Sequence, residues 1–131
     1  MQASPDSIGY VEFIYALEAH LSFGAVRNAS GRFIRADLTS LPAAASSASF
    51  PTSGDLRVSI TNAPPPKAYP LAAFTYLLIP QQFPNAEKGK DMAQFLHWVL
   101  TSGQKQSAAL GYAALPDEIA KRALDVAAEI H

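Results

Sequence analysis

Histidine is the side chain best suited to move protons or bind a metal near neutral pH, and this sequence has three, His20, His97 and His131. They lie far apart, with no His-Glu-x-x-His or other ligand spacing, so a metal centre would have to be assembled by the fold from scattered pieces. His97 precedes Trp98 on a strongly helical stretch, where a partly exposed structural role is expected rather than that of a general base. Asp6, Glu12 and Glu18 could pair with bases, but isolated carboxylates near helix starts ordinarily cap or stay solvated. There is no Gly-x-Ser-x-Gly elbow and no Gly-rich phosphate loop. The lack of cysteine removes disulfides, thiolate catalysis and cysteine metal sites together, and leaves the compartment open. The sequence therefore predicts no catalytic residue, no metal and no cofactor. Backbone amides for an oxyanion could come from helix starts at Asn85 or at Pro116 to Glu118, although Asp117 and Glu118 weaken the second.

Composition narrows the partners. Ten Lys plus Arg against 11 Asp plus Glu give a net charge of -1, and the basic residues are scattered, which argues against nucleic acid or an anionic membrane surface. At 131 residues and 49% hydrophobic, the chain fits one soluble domain able to bury a core. No run approaches the roughly 20 apolar residues that span a bilayer. Met1 to Asp6 has neither the basic nor the apolar region of a signal peptide.

The elements that would position any site centre on Tyr69 to Pro80, the longest nearly uncharged apolar run. Pro70 and Pro80 bracket it, and Leu71, Phe74, Tyr76, Leu77, Leu78 and Ile79 supply both faces of a buried strand. A strand covered on both faces needs helices beyond it. Ile8 to Val11 predicts a short strand bending into a helix of about three turns that ends near His20. Phe23 to Val26 and Arg32 to Ile34 flank Asn28-Ala29-Ser30-Gly31, which suits a hairpin with Gly31 at positive φ. Asp37 to Ser40 offers caps for an alanine-rich helix that tolerates Pro42 only in its first turn and ends by Ser49. Ser46 to Gly54 is a loop. Leu56, Val58 and Ile60 alternate with polar residues and predict a half-exposed strand, and Pro64 to Pro66 a stiff extended connection.

Gln81 to Pro84 is a loop before a helix capped by Asn85. Met92, Phe95, Leu96, Val99 and Leu100 give that helix one apolar face, and Ser102-Gly103 stops it. Gln104 to Leu110 resumes helical composition up to Gly111. A last helix starts at Pro116-Asp117-Glu118, with Ile119, Ala123, Leu124, Ala127 and Ile130 as its stripe.

Order and motifs together carry a resemblance. Ile8-Gly9-Tyr10-Val11-Glu12 before an Ala/Tyr helix, Asn28 to Gly31, Thr61-Asn62-Ala63, Tyr69-Pro70 leading into Phe74 to Ile79, Phe95-Leu96-His97-Trp98, Gly103 to Gln106, and Leu110-Gly111-Tyr112 with Leu115-Pro116 follow one another collinearly from Ile8 onward. This series resembles the C-terminal portion of the periplasmic phosphate-binding proteins of phosphate ABC transporters. The resemblance implies an α/β chain with part of the type II periplasmic binding-protein fold, a mixed sheet flanked by helices. Residues 1 to about 68 would be the remnant of one lobe, and about 69 to 131 a hinge-crossing strand with helices of the other.

Members of that family are more than twice this long and hold phosphate with a Gly-rich segment and an Arg-x-x-x-Ser-Gly-Thr motif, neither of which is in this sequence. Arg27-Asn28-Ala29-Ser30-Gly31-Arg32 is one residue too short for that motif, has Arg32 where the threonine should be, and aligns with the family's hairpin turn. The resemblance thus implies a noncatalytic phosphate-binding portion with no ligand residues of its own, extracytoplasmic, tied to a membrane permease only through the family, and binding phosphate only if a missing half or an oligomer completes it. Apolar faces made to meet an absent half cannot all stay wet. The chain is expected to self-associate or to bind a second chain. A rearranged compact domain, an oxyanion site rebuilt across an oligomer, and an enzyme with perturbed histidines or carboxylates are the alternatives.

Overall fold

Backbone chemistry separates the local elements of this chain from the non-local ones. The computed structural model describes residues 6–51 and 54–131. Helix α1, Phe13–Glu18, buries Ala16 and ends where His20 takes φ 49°. The His20 N–H donates to the Leu17 carbonyl at 3.1 Å and the Leu21 N–H to the Ala16 carbonyl at 2.9 Å, so the last turn closes on a left-handed residue. The hairpin follows as expected: β1, Val26–Arg27, pairs antiparallel with β2, Phe33–Ile34, in the register Val26↔Ile34 and Arg27↔Phe33, with Gly31 at φ 80°. Helix α2, Ser40–Ala45, carries Pro42 in its first turn, where its missing N–H leaves no intrahelical bond unmade. Asp37 Oδ1 accepts from the Thr39 and Ser40 N–H groups at 2.8 and 2.6 Å.

The second half is helical. Asn85 Oδ1 accepts from the Glu87 and Lys88 N–H groups at the start of α3, Ala86–Leu100. Two short 3-10 segments, Ser102–Gln106 and Ala108–Leu110, lead to Gly111 at φ 75°. Helix α4, Asp117–Ala127, packs against α3. The chain end is held as well: the Phe83 N–H donates to the His131 carbonyl at 2.9 Å, and the His131 N–H to the Gln81 carbonyl at 3.0 Å. Gly89 makes that close approach possible, because a Cβ there would stand 2.9 Å from the His131 carbonyl carbon.

The main cluster of buried residues is Ala44, Ala45, Ile60, Ala63, Ala68 and Ala72, edged by Leu41, Phe74 and Ile119. A methyl group removes far less apolar area from water than a Leu or Phe side chain, so an alanine core contributes little. Among the described residues no large side chain is fully buried.

Four expectations are corrected. Residues 72–80 form no strand, and the run is mostly exposed, with Leu78 at 92%. Ile8 to Val11 is likewise unpaired, with Ile8 98% and Tyr10 99% exposed. Leu56, Val58 and Ile60 do face inward while Arg57 and Ser59 face out, but no strand pairs with them. The mixed sheet is thus reduced, among the described residues, to the β1–β2 hairpin. A strand exists only if a neighbour supplies its hydrogen bonds, and these three stretches find none. Pro64 to Pro66 also bends rather than extending, with the Ala68 N–H donating to the Pro65 carbonyl at 2.9 Å. Of the expected 46–54 loop, Thr52 and Ser53 lie outside the described residues.

Candidate functional site

The Arg27 to Arg32 turn is built around Asn28, which is buried. Its Oδ1 accepts from the Ser30 N–H, the Ser30 hydroxyl and the Arg32 N–H at 3.1, 2.8 and 3.0 Å. Its Nδ2 donates across the chain to the Pro66 and Ala68 carbonyls at 3.2 and 3.1 Å. The amides that an anion loop would offer are therefore consumed by the turn's own side chain, and Asn28 ties the hairpin to the Pro64–Ala68 bend. A polar residue opening a Ser-Gly turn was the only signal for this role in the sequence.

Neither helix start suits an oxyanion. The first amides of α3 are satisfied by Asn85, and those of α4, which have no side-chain cap, stand beside the Asp117 and Glu118 carboxylates. Between the end of α2 and the start of α4 lies an open cleft of about 610 Å3, lined by Ala45, Ser49, Phe50, Pro116, Asp117 and Arg122. Arg122 lies over the Phe50 ring, 5.2 Å from its centroid, and Nη2 donates to the Pro51 carbonyl. Its Nε is buried with no partner among the described residues. Its guanidinium thus holds the 50–51 segment in place, and two carboxylates share the cleft with it. Sequence reasoning missed Arg122, although its spacing from Ile119 places it beside the buried stripe of α4.

The histidines have separate settings. His20 closes α1, His97 lies in the last turn of α3 and His131 packs on Gly89. Among the described residues no group of three or more His, Cys, Asp or Glu side chains could hold a metal. Two carboxylates titrate low. Hydrogen bonds from Thr39 and Ser40 hold Asp37 below its ordinary value. The Arg57 side chain and N–H, together with its charge, bring the exposed Asp55 down to about 2.

What the surface does present is unpaired main chain. No backbone N–H or C=O of residues 71–79 enters a hydrogen bond among the described residues. The Tyr76 hydroxyl exchanges hydrogen bonds with both backbone groups of Val58. No described helix is long and apolar enough to cross a membrane.

These features define a small α/β polypeptide in which the helices are complete and most strand-forming stretches are unpaired. Its relatives are more specific. The chain is 37% identical over 122 residues, 93% of its length, to the phosphate-binding protein PstS of Xylella fastidiosa (strain Temecula1), and covers 34% of that protein. It is 36% identical over 137 residues to the PstS of Methanocaldococcus jannaschii, covering 35% of it. To the PstS of Haemophilus influenzae it is 31% identical over 113 residues, covering 34%. No protein-family profile matches the chain. The resemblance carried by the order of motifs is thus a sequence relationship to phosphate-binding proteins, and the chain spans about a third of the length of these relatives.

Proposed function

We propose that this chain is a noncatalytic portion of a phosphate solute-binding protein of an ABC transporter, and that it has no complete phosphate site by itself. The observation that carries the reading is similarity along 93% of the chain to a protein named for phosphate binding, of which it covers 34%. On this reading residues 1 to about 68 belong to one lobe and about 69 to 131 to the hinge-crossing segment and helices of the other. The phosphate-holding groups lie on the remaining two thirds, the completed protein is extracytoplasmic, and it reaches the permease only as a whole. The self-capped start of α3 and the acids at the start of α4 count against an oxyanion site rebuilt in an oligomer. Self-association is the second reading, favoured by exposed Leu71, Leu77 and Leu78.

Isothermal titration with inorganic phosphate tests the proposal on two proteins. One is the chain alone. The other is the Xylella fastidiosa relative with its matching third replaced by this chain. The chain alone is expected to give no binding heat, and the chimera micromolar or tighter one-to-one binding. One-to-one micromolar binding by the chain alone overturns the incomplete-site reading; a folded chimera that ignores phosphate overturns the phosphate-binding reading.

A further inference from the structure

Basic residues that are spread along the sequence are gathered by the fold at one place. Arg27 and Arg32 flank the turn that Asn28 organises, and Arg35 follows β2 directly. Lys67 reaches the same turn from far along the chain. It stands between Pro66 and Ala68, whose carbonyls both accept from Asn28 Nδ2, at 3.2 and 3.1 Å. All four basic residues are exposed. The Arg27 guanidinium lies over the turn, with Nη2 3.6 Å from where a Cβ on Gly31 would stand. That of Arg35 lies over the Phe23 ring, 4.7 Å from its centroid.

None of the four has a carboxylate partner. Among the described residues the ion pair is that of Arg57 with Asp55, and no Asp or Glu occurs between Glu18 and Asp37. Asp37 turns its carboxylate to Thr39 and Ser40. The four cations carry +4 in a chain of net charge -1, so the rest of the molecule carries -5. Like charges grouped without a counter-charge repel one another, and an anion laid across them relieves that repulsion. Phe33 stands among them, paired with Arg27 across the hairpin and 72% exposed. Cross-strand partners share a face, and arginine beside an exposed aromatic ring is the composition of a protein interface.

We propose that Arg27, Arg32, Phe33, Arg35 and Lys67 form a docking surface for an acidic segment of another protein. The inference goes beyond phosphate capture and does not depend on it. A single small oxyanion does not fit: the turn's amides are taken up by Asn28 Oδ1, and the cations stand on an exposed turn, outside the α2–α4 cleft. A broad anionic membrane would meet the -5 of the remaining chain along with the patch, whereas a narrow acidic segment meets the patch alone. Three of the four cations are arginines, whose planar forks bind carboxylates in pairs while stacking on rings. Strand pairing and the Asn28 tie already fix the backbone beneath them, so docking orders side chains only.

Fluorescence anisotropy with fluorescein-labelled octaglutamate tests it on the intact chain and on the chimera described above. Saturable binding is expected at about 20 mM salt and its loss at about 300 mM. The triple variant Arg27→Gln, Arg32→Gln, Arg35→Gln is expected to bind at least about 10-fold more weakly. Lys88→Gln, Lys90→Gln, Lys105→Gln changes the net charge equally but lies elsewhere, and is expected to stay within about 2-fold of the parent. Lys67→Gln and Phe33→Ser, which remove one side chain each, are expected to weaken binding by about 3-fold, and they carry the test if the triple arginine variant fails to fold. No saturable binding by about 200 μM protein overturns the proposal, as does an equal loss in the two triple variants. Tighter association with phosphatidylserine vesicles or with an oligothymidylate than with the peptide also overturns it. So does a chimera that binds phosphate but no longer distinguishes the two triple variants, because the missing two thirds then cover the patch. A chimera that binds the peptide and ignores phosphate upholds the docking surface and defeats only the functional reading.

Discussion

The Tyr76 hydroxyl stands in for a neighbouring strand at Val58, donating to its carbonyl at 3.0 Å and accepting from its N–H at 3.1 Å. One side chain thereby satisfies both backbone groups of a residue whose own segment makes no ladder. Tyr76→Phe keeps the ring against Phe74 and removes only the hydroxyl. A lost exposed hydrogen-bond pair corresponds to about 0.5–1 kcal/mol. Urea unfolding should show that loss in the intact chain, with the slope of the transition unchanged.

Asn28 should matter more than any other polar side chain of the hairpin. Asn28→Ala leaves the Pro66 and Ala68 carbonyls without their donor and the Ser30 and Arg32 amides without their acceptor, a loss of about 2–4 kcal/mol. Asn28→Asp retains the acceptor but turns a carboxylate oxygen toward those two carbonyls. It should be the worse variant at pH 7 and recover part of the loss at pH 4, where the carboxyl regains a proton. Thermal unfolding of both variants at the two pH values checks the order.

Helices α3 and α4 were legible in the sequence because a helix closes its hydrogen bonds within a few residues, whereas α1, expected to run about three turns, is only the six residues Phe13–Glu18. Asn85, the Met92 to Leu100 face and Pro116-Asp117-Glu118 carry their instructions locally, and α3 and α4 appear where those residues place them. The hairpin was legible for the same reason, since Asn28 and Gly31 make the turn themselves. The stretches at 8–11, 56–61 and 72–80 have strand composition just as clearly, yet composition states only what a segment would do beside a partner. The alternation of Leu56, Val58 and Ile60 survives as burial without becoming a strand. Asn28's long-range role was hidden because its partners, Pro66 and Ala68, are bare carbonyls nearly forty positions away.

Asp37 gives the fold an acid-sensitive element. Its carboxylate accepts from Thr39 and Ser40 at the start of α2, which holds its pKa below the ordinary 3.8. A carboxyl with a lowered folded-state pKa adds stability that is fully present above the unfolded value and is lost as pH falls through the folded one. Asp37→Ala should therefore lower stability by about 0.5–1 kcal/mol at pH 5 to 7, the low end of helix-cap losses because the group is largely solvated. The gap between the two proteins should close below about pH 4, measured as the difference in denaturant midpoint across that range.

Two residues at left-handed positions should respond to substitution in opposite directions. His20 adopts φ 49° to end α1, a conformation that strains a side chain bearing Cβ and suits glycine. His20→Gly should raise stability by about 0.5–1 kcal/mol, the relief of strain exceeding the added freedom of the unfolded chain. Gly111, at φ 75°, is already glycine, and a Cβ there would run into the Ile14 side chain of α1. Gly111→Ala should therefore combine backbone strain with a clash and cost about 2 kcal/mol or more. Trimming Ile14 to Ala in the same molecule removes the clash but not the strain. The double variant should accordingly be less destabilised than the sum of the two single ones, a non-additivity that a double-mutant cycle by chemical denaturation measures directly. Strict additivity would mean that α1 does not pack on Gly111.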